Sequence, residues 1–173
     1  MLDAGPVTVN QYLQLPPRED DLTDELIEGE VVLPPMRTVS HAGVVMRVLR
    51  HLGRLELSGY ATAGRFGCIL GEYSLLSPDV AAMRFDRWQN VPEDEYFTGS
   101  PELVVEVSSF CNPKALQKTA VYLEYGAEAV WIVYPKTRTV LVHDADGQHE
   151  SRMGETVSFQ GVTIEVAAIF QDL

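Results

Sequence analysis

Two acids and a lysine stand where charge is expensive, and of all the residues in this chain they are the best placed to do chemistry. Glu106 interrupts the β-branched apolar run Leu103–Val107, LVVEV, the pattern of a strand covered on both faces. Lys118 shares a helical stripe with Val121, Tyr122 and Tyr125 at i, i+3, i+4 and i+7, so its stem rises from an apolar face. Asp79 follows Pro78 at the start of a second apolar segment, DVAAM. Charges in such places need partners or a task. Carboxylates on neighbouring strands can share one Mg²⁺ or Mn²⁺, with the Val107 carbonyl and waters completing its shell. Such an ion polarises a phosphoryl oxygen and activates a bound water, which Lys118 would orient or whose attack it would stabilise. The structural alternative is that Asp79 caps a turn and Glu106 pairs with Lys118 as a buried ion bridge.

The elements that must position these groups follow from local pattern. Asn112 offers a helix N-cap and Pro113 a first helical position, with Gly126 as the stop and Val130 to Val133 as the next core strand. Upstream, Val7 to Leu15 predicts a short amphipathic helix capped near Thr8 and closed by Pro16 and Pro17. Glu25 to Leu33 reads as a strand pair turning at Glu28-Gly29. From Ser40, Val44, Val45, Val48, Leu49, Leu52 and Leu55 recur at helical spacing up to Ser58-Gly59. The opposite face carries Arg47, Arg50, His51 and Arg54, which reads as a solvated helix face. Tyr60 to Leu70 and Leu75 to Met83 read as strands, with Gly64, Gly67 and Gly71 at turns or bulges. Phe85 to Ser100 reads as a short helix and exposed loop; Thr139 to His143 enters a hairpin at Asp146-Gly147. Val157 to Phe159 and Val162 to Val166 finish the chain, with a last apolar turn at Ile169-Phe170.

Composition bounds the function. The 173 residues suit a single domain spanning 1–173, with 46% apolar and 22% charged side chains, as in ordinary globular proteins. No apolar run approaches the roughly 18–20 residues of a membrane span, and no secretory signal is visible. Two cysteines, Cys68 and Cys111, suggest neither a disulfide scaffold nor a zinc site, so a reduced, cytoplasmic protein is expected. A net charge of −12 favours solubility and opposes indiscriminate nucleic-acid binding, without excluding a local basic groove or a metal-bridged site.

Six segments, taken in order, resemble the Uma-type family of endonucleases within the PD-(D/E)XK superfamily. VTVNQYLQLPP is similar to its opening helix, DELIEGEVVLPP to its hairpin and SHAGVVMRVLRHL to the helix that opens with a histidine. SPDVAAM resembles its PDV strand, PELVVEVSS its central strand and KTAVYLEYGAEAVWIVYP its lysine helix and the strand after it. The resemblance implies an α/β, restriction-endonuclease-like fold: a mixed, twisted sheet flanked by helices. It implies Mg²⁺-dependent hydrolysis of nucleic acid, DNA foremost, by a homodimer. Asp79 and Glu106 would be metal ligands, with Lys118 catalytic and Glu25 a further ligand or water-positioning group. The superfamily's lysine two residues after the glutamate is here Ser108; in the family it sits on the following helix, where Lys118 matches. His41 matches the helix-start histidine, equally readable as a cap. Two positions depart from the family pattern: Tyr134 stands where an aspartate is usual, and Ala115 where an acid would precede the lysine. Both thin the acidic surroundings and raise the alternative of a catalytically lapsed protein that binds partners. A metal-dependent hydrolase of smaller phosphoesters would tolerate the negative surface better.

Other candidates are weaker. His143, Asp144, Asp146 and His149 have metal-like composition but straddle a turn. Ser108-Ser109 lacks a His/Asp partner and nucleophile-elbow glycines, and Cys111 reads as a small core or turn residue. No phosphate-cradling glycine motif occurs.

Overall fold

The computed structural model describes residues 5–16, 24–33, 37–109 and 112–171. Along the chain come α1 (Val9–Tyr12), β1 (Glu25–Ile27), β2 (Glu30–Val32), α2 (Val39–Leu52), a 3₁₀ segment (Gly53–Ser58), β3 (Tyr60–Ala63), β4 (Cys68–Leu70), β5 (Ser74–Leu76) and β6 (Val80–Arg84). Then follow α3 (Phe85–Trp88), β7 (Phe97–Thr98), β8 (Leu103–Val107), α4 (Pro113–Glu124), β9 (Ala129–Tyr134), β10 (Thr139–Asp144), β11 (Gly147–Ser151), β12 (Thr156–Phe159), β13 (Val162–Glu165) and α5 (Val166–Ile169).

A mixed six-stranded sheet, in the order β11-β10-β9-β8-β6-β3, is the centre of the fold. Its one parallel pair, β8 with β9, is joined through α4, as a crossover between parallel neighbours requires. The period of two sorts the central strands onto two cores. Leu103, Val105 and Val107 face Val44, Val48 and Leu52 of α2, together with the β12–β13 hairpin and α5. Val104 faces the other way, toward Val121 and Tyr122 of α4 and toward Ile27, Leu70 and Leu76 of a second sheet. That sheet runs β2-β1-β5-β4-β7. By the same alternation Glu106 points to the α4 face.

Local signals account for most boundaries. The Thr8 side chain accepts from the Gln11 amide in a full capping box, and the Asn112 side chain accepts from the Lys114 amide with Pro113 at the first turn. Glu28 and Gly29 turn the β1–β2 hairpin with φ of 48° and 83°. Five expectations are corrected. The first helix covers only Val9–Tyr12 of the expected segment. The second gives way after Leu52 to a 3₁₀ segment that ends at Gly59 in the left-handed region. Tyr60 to Leu70 is two strands in two sheets, because the chain turns at Gly64–Gly67 and crosses over. Within Phe85–Ser100, Phe97 is buried and β7 pairs with β4; two residues are too few to leave a periodic trace. Tyr125, placed by spacing on the inward stripe of α4, closes the helix as its C-cap and is 38% exposed. The helix ends at Glu124, and the cap leaves helical geometry with φ of −98° and ψ of 18°, so the stripe stops at Tyr122.

Candidate active site

Register explains how the two acids meet. Strand β6 runs antiparallel to β8 with Val80 opposite Val105 and Ala81 opposite Val104, so Asp79 is the residue that would next face Glu106. Instead of continuing the ladder, the Asp79 carboxylate takes over: its Oδ2 accepts the Val107 amide at 2.9 Å. The same oxygen lies 3.1 Å from His41 Nε2, and Oδ1 lies 3.2 Å from Arg37 Nη2. Burial opposes ionisation of Asp79, yet the His41 hydrogen bond and charge, the Val107 amide and Arg37 outweigh it and hold the carboxyl below its usual value.

Glu106 sits behind it among different partners. Lys118 Nζ is 2.7 Å from Glu106 Oε1, and the Tyr122 hydroxyl donates to that oxygen at 3.2 Å. The other face of the ammonium donates to both Glu25 oxygens, at 2.9 and 3.0 Å. Glu25 Oε1 also accepts the Ser77 amide at 2.8 Å, which ties β1 to the segment leading into Asp79. Asp79, Glu106 and Lys118 are all at least nine-tenths buried. Burial, then the charges of Asp79 and Glu25, push the Glu106 carboxyl up against the pull of Lys118. Burial alone would lower the Lys118 pKa; Glu106 and Glu25 raise it instead, so the lysine is held charged. Desolvation and the carboxylate beside it raise the Tyr122 phenol, which stays a donor.

These groups open onto a cleft of about 440 Å³ lined by Glu25, Arg37, His41, Asp79, Glu106, Val107 and Lys118 among others. The sequence-predicted set is therefore brought together, with His41 alongside. The structural alternative is present in the same geometry, since Glu106 and Lys118 do form a buried ion bridge. Among the described residues no group of three or more His, Cys, Asp or Glu is arranged to hold a metal ion. A site here would have two carboxylates, in keeping with an ion that retains several waters. The donor chemistry fits. Glu106 Oε2 accepts no hydrogen bond from the described residues, and both carboxylates offer hard oxygen. The Val107 N–H points to Asp79, and the carbonyl of a strand residue leaves from the same edge as its N–H.

Sequence reasoning missed Arg37, Ser77 and Tyr122 as partners. Tyr122 carried a signal, standing one helical turn after Lys118; Arg37 lies outside any periodic element. The two positions where the resemblance anticipates acids prove to be neighbours: Ala115 and Tyr134 share a small apolar cluster with Ile132 and Leu141. The two departures are one exchange of polar for apolar surface in space. His143, Asp144, Asp146 and His149 belong to the β10–β11 hairpin, apart from the cleft. Cys111 lies outside the described residues, and Cys68 is buried with its thiol pushed up to about 12, chiefly by desolvation.

Residues 9–173 match the Uma2 family, described as "Putative restriction endonuclease". The chain belongs to this family. A solved structure described as a putative nuclease belonging to DUF820, from Anabaena variabilis ATCC 29413, superposes with a TM-score of 0.82. It is 19% identical, over 95% of this chain and 98% of that one, so the two share a fold, here the mixed sheet flanked by helices. No curated protein matches the sequence. Lys118 reaches Glu106 from α4, while Ser108, two residues after that glutamate, is taken up with Asn112, whose side-chain amide donates to its hydroxyl at 3.1 Å. Among the described residues no helix is long and apolar enough to cross a membrane.

Proposed function

We propose that the protein hydrolyses phosphodiester bonds of nucleic acid, DNA foremost, with Mg²⁺ or Mn²⁺. The observation that carries this reading is the pair Asp79 and Glu106, at facing positions where two strands part, with a charged lysine behind them in one cleft. Asp79, Glu106 and the Val107 carbonyl would hold the ion. When bound it would neutralise phosphate charge and supply an acidic water as nucleophile. The remaining roles fall to side chains. Lys118, fixed between Glu25 and Glu106, keeps a positive charge beside the reacting phosphate without a conformational search. Glu25 holds that ammonium and, through the Ser77 amide, the approach of the chain to Asp79. His41 and Arg37 keep Asp79 ionised and aimed. Tyr122 fixes the carboxylate rotamer of Glu106 from below.

The test is hydrolysis of plasmid, linear duplex and single-stranded DNA and RNA with Mg²⁺, Mn²⁺ or EDTA. Asp79→Asn and Glu106→Gln serve as controls. Cleavage that EDTA and both substitutions abolish supports the proposal; cleavage indifferent to them, or none on any substrate, overturns it. The second reading, a nuclease-fold binding module that has lost catalysis, is favoured by the apolar cluster that holds Ala115 and Tyr134 in place of acids. It predicts nucleic-acid or partner binding with no turnover under any metal.

A further inference from the structure

The cleft differs in charge from the rest of the molecule. Its lining carries four cations, Arg37, Arg65, Lys114 and Lys118, against four carboxylates, so the whole excess of twelve negative charges lies elsewhere. Three of these cations are committed to protein carboxylates. Lys118 pairs with Glu106, Lys114 with Glu30 at 2.5 Å, and Arg37 with Asp79 through one nitrogen. Arg65 is exposed, lines the cleft, and makes no side-chain hydrogen bond or ion pair to the described residues.

The backbone holds Arg65 in a costly shape. Its φ is 61°, in the left-handed region, where a long side chain is uncommon. Three other non-glycine residues share this feature, Glu28, Arg138 and Gln160, but each sits in a hairpin turn between paired strands, where positive φ is the rule. Arg65 lies instead in the crossing from β3 to β4, between two sheets. It is fixed there by its own amide, which donates to the Pro78 carbonyl at 2.9 Å. Gly64 presses the same loop onto Asp79: a Cβ at that position would stand 2.3 Å from the Asp79 carbonyl oxygen. The loop that carries the unpaired arginine is thus bolted to the residue that carries the candidate metal ligand. Strain that local turn geometry does not require points to function.

Resting on the nuclease reading, we propose that Arg65, assisted by Arg37, binds a phosphate group of the substrate in the cleft. A guanidinium is suited to bidentate contact with phosphate oxygens. Arg37 spends one nitrogen on Asp79 and keeps the others, while Arg65 has its full fork available. In a strongly acidic protein these two residues supply the local attraction that a polyanion needs.

Arg65→Gly is the decisive variant, because glycine removes the side chain and accepts the backbone conformation freely. Fluorescence anisotropy with labelled duplex and single-stranded DNA, in EDTA and in Ca²⁺, would give affinity and its salt dependence. Arg152→Ala, exposed and outside the cleft, controls for net charge. The expected result is a variant that melts no lower than wild type and binds about ten-fold more weakly. Its slope of log K against log salt should fall by about 0.7–0.9, one phosphate contact, while Arg152→Ala changes little. Unchanged affinity and slope in Arg65→Gly, with wild type binding DNA, overturns the assignment and leaves the nuclease reading intact. The same holds if Arg152→Ala loses as much as Arg65→Gly. A wild-type protein that binds neither DNA in either buffer overturns both.

Discussion

Replacing Lys118 by methionine separates the structural from the catalytic part of its role. Methionine keeps most of the volume and removes the charge. In the native protein that charge sits 2.7 Å from Glu106 and 2.9 Å from Glu25. Glu25 keeps the Ser77 amide and a solvent edge, so the stranded group is Glu106. Breaking a buried pair usually costs about 3–5 kcal/mol, but a carboxyl can escape by taking a proton. The ceiling is therefore the cost of protonating a group whose ordinary pKa is 4.5, at about 1.4 kcal/mol per pH unit: about 3.5 kcal/mol at pH 7 and under about 1 at pH 5. The native pKa of Glu106 is already raised, so the wild-type protein carries part of this cost and the measured deficit lies below the ceiling.

The sign follows from proton binding. A carboxyl whose folded pKa exceeds 4.5 binds more protons in the native than in the unfolded state above that pH, so stability falls as pH rises through the window. Losing Lys118 raises the folded pKa further and steepens that fall. The stability deficit of Lys118→Met should therefore widen with pH, by about 1 kcal/mol or more between pH 5 and pH 9. At about 2–4 °C per kcal/mol for a chain of this size, the gap in Tm should grow by several degrees. Thermal melts of both proteins at pH 5, 6, 7, 8 and 9 measure it. A gap that stays flat, or widens toward acid, refutes the buried ion bridge. Mg²⁺ at about 100 times its Kd should restore about 2.7 kcal/mol to the variant. No response to Mg²⁺ removes the metal from Asp79 and Glu106 whatever the pH series shows. Hydrolysis should be lost at every pH.

Glu25→Gln should be mild by comparison, costing under about 1 kcal/mol, because the amide oxygen still accepts from Ser77 and Lys118 keeps Glu106; melts beside those of Lys118→Met would check the ranking. Gly71→Ala should destabilise by about 1–3 kcal/mol, since φ is 68° and the new Cβ would stand 2.1 Å from the Tyr125 hydroxyl oxygen; urea unfolding at unchanged m-value would measure it. The protein should sediment as a two-fold dimer at micromolar concentration, because a single site per chain cuts both strands of a duplex only in pairs. A monomer that nevertheless makes double-strand breaks would contradict this.

The parts of the fold that were legible in sequence were those written in a period. LVVEV and the Val130–Val133 run announce strands buried on both faces because every position but Glu106 is apolar, and β8 and β9 are buried throughout. Asn112-Pro113 marked the start of α4, and the stripe from Lys118 to Tyr122 pointed the lysine inward. What escaped was set by contacts between distant segments. Nothing near residue 64 says that Gly64 must lie against Asp79 or that the chain there changes sheets, and β7 is too short to have a pattern. Arg37 stands just before the Thr38 cap of α2 and lies on no periodic stripe, so the folded position of Asp79 is what gives it a partner.

The same distinction explains why sequence left the site ambiguous between an ion bridge and a catalyst. Spacing can say that a charge is buried but not how many partners share it. One lysine against one glutamate would be a closed, neutral pair, with nothing left over for chemistry. Here one lysine serves two glutamates with a third carboxylate opposite, so the cluster holds more carboxyl groups than the lysine can pair, and Glu106 meets the excess by binding its proton more tightly. Arg37 and His41 relieve Asp79, yet Glu106 retains one oxygen with no donor among the described residues and a pKa pushed upward by burial. Excess acid of this kind destabilises the folded state unless something cationic enters. A purely structural bridge has no reason to keep it, since a single carboxylate would pair Lys118 at lower cost. The surplus carboxylate is the feature that favours a cation-binding site over a bridge, and the Mg²⁺ response of the lysine variant measures that surplus.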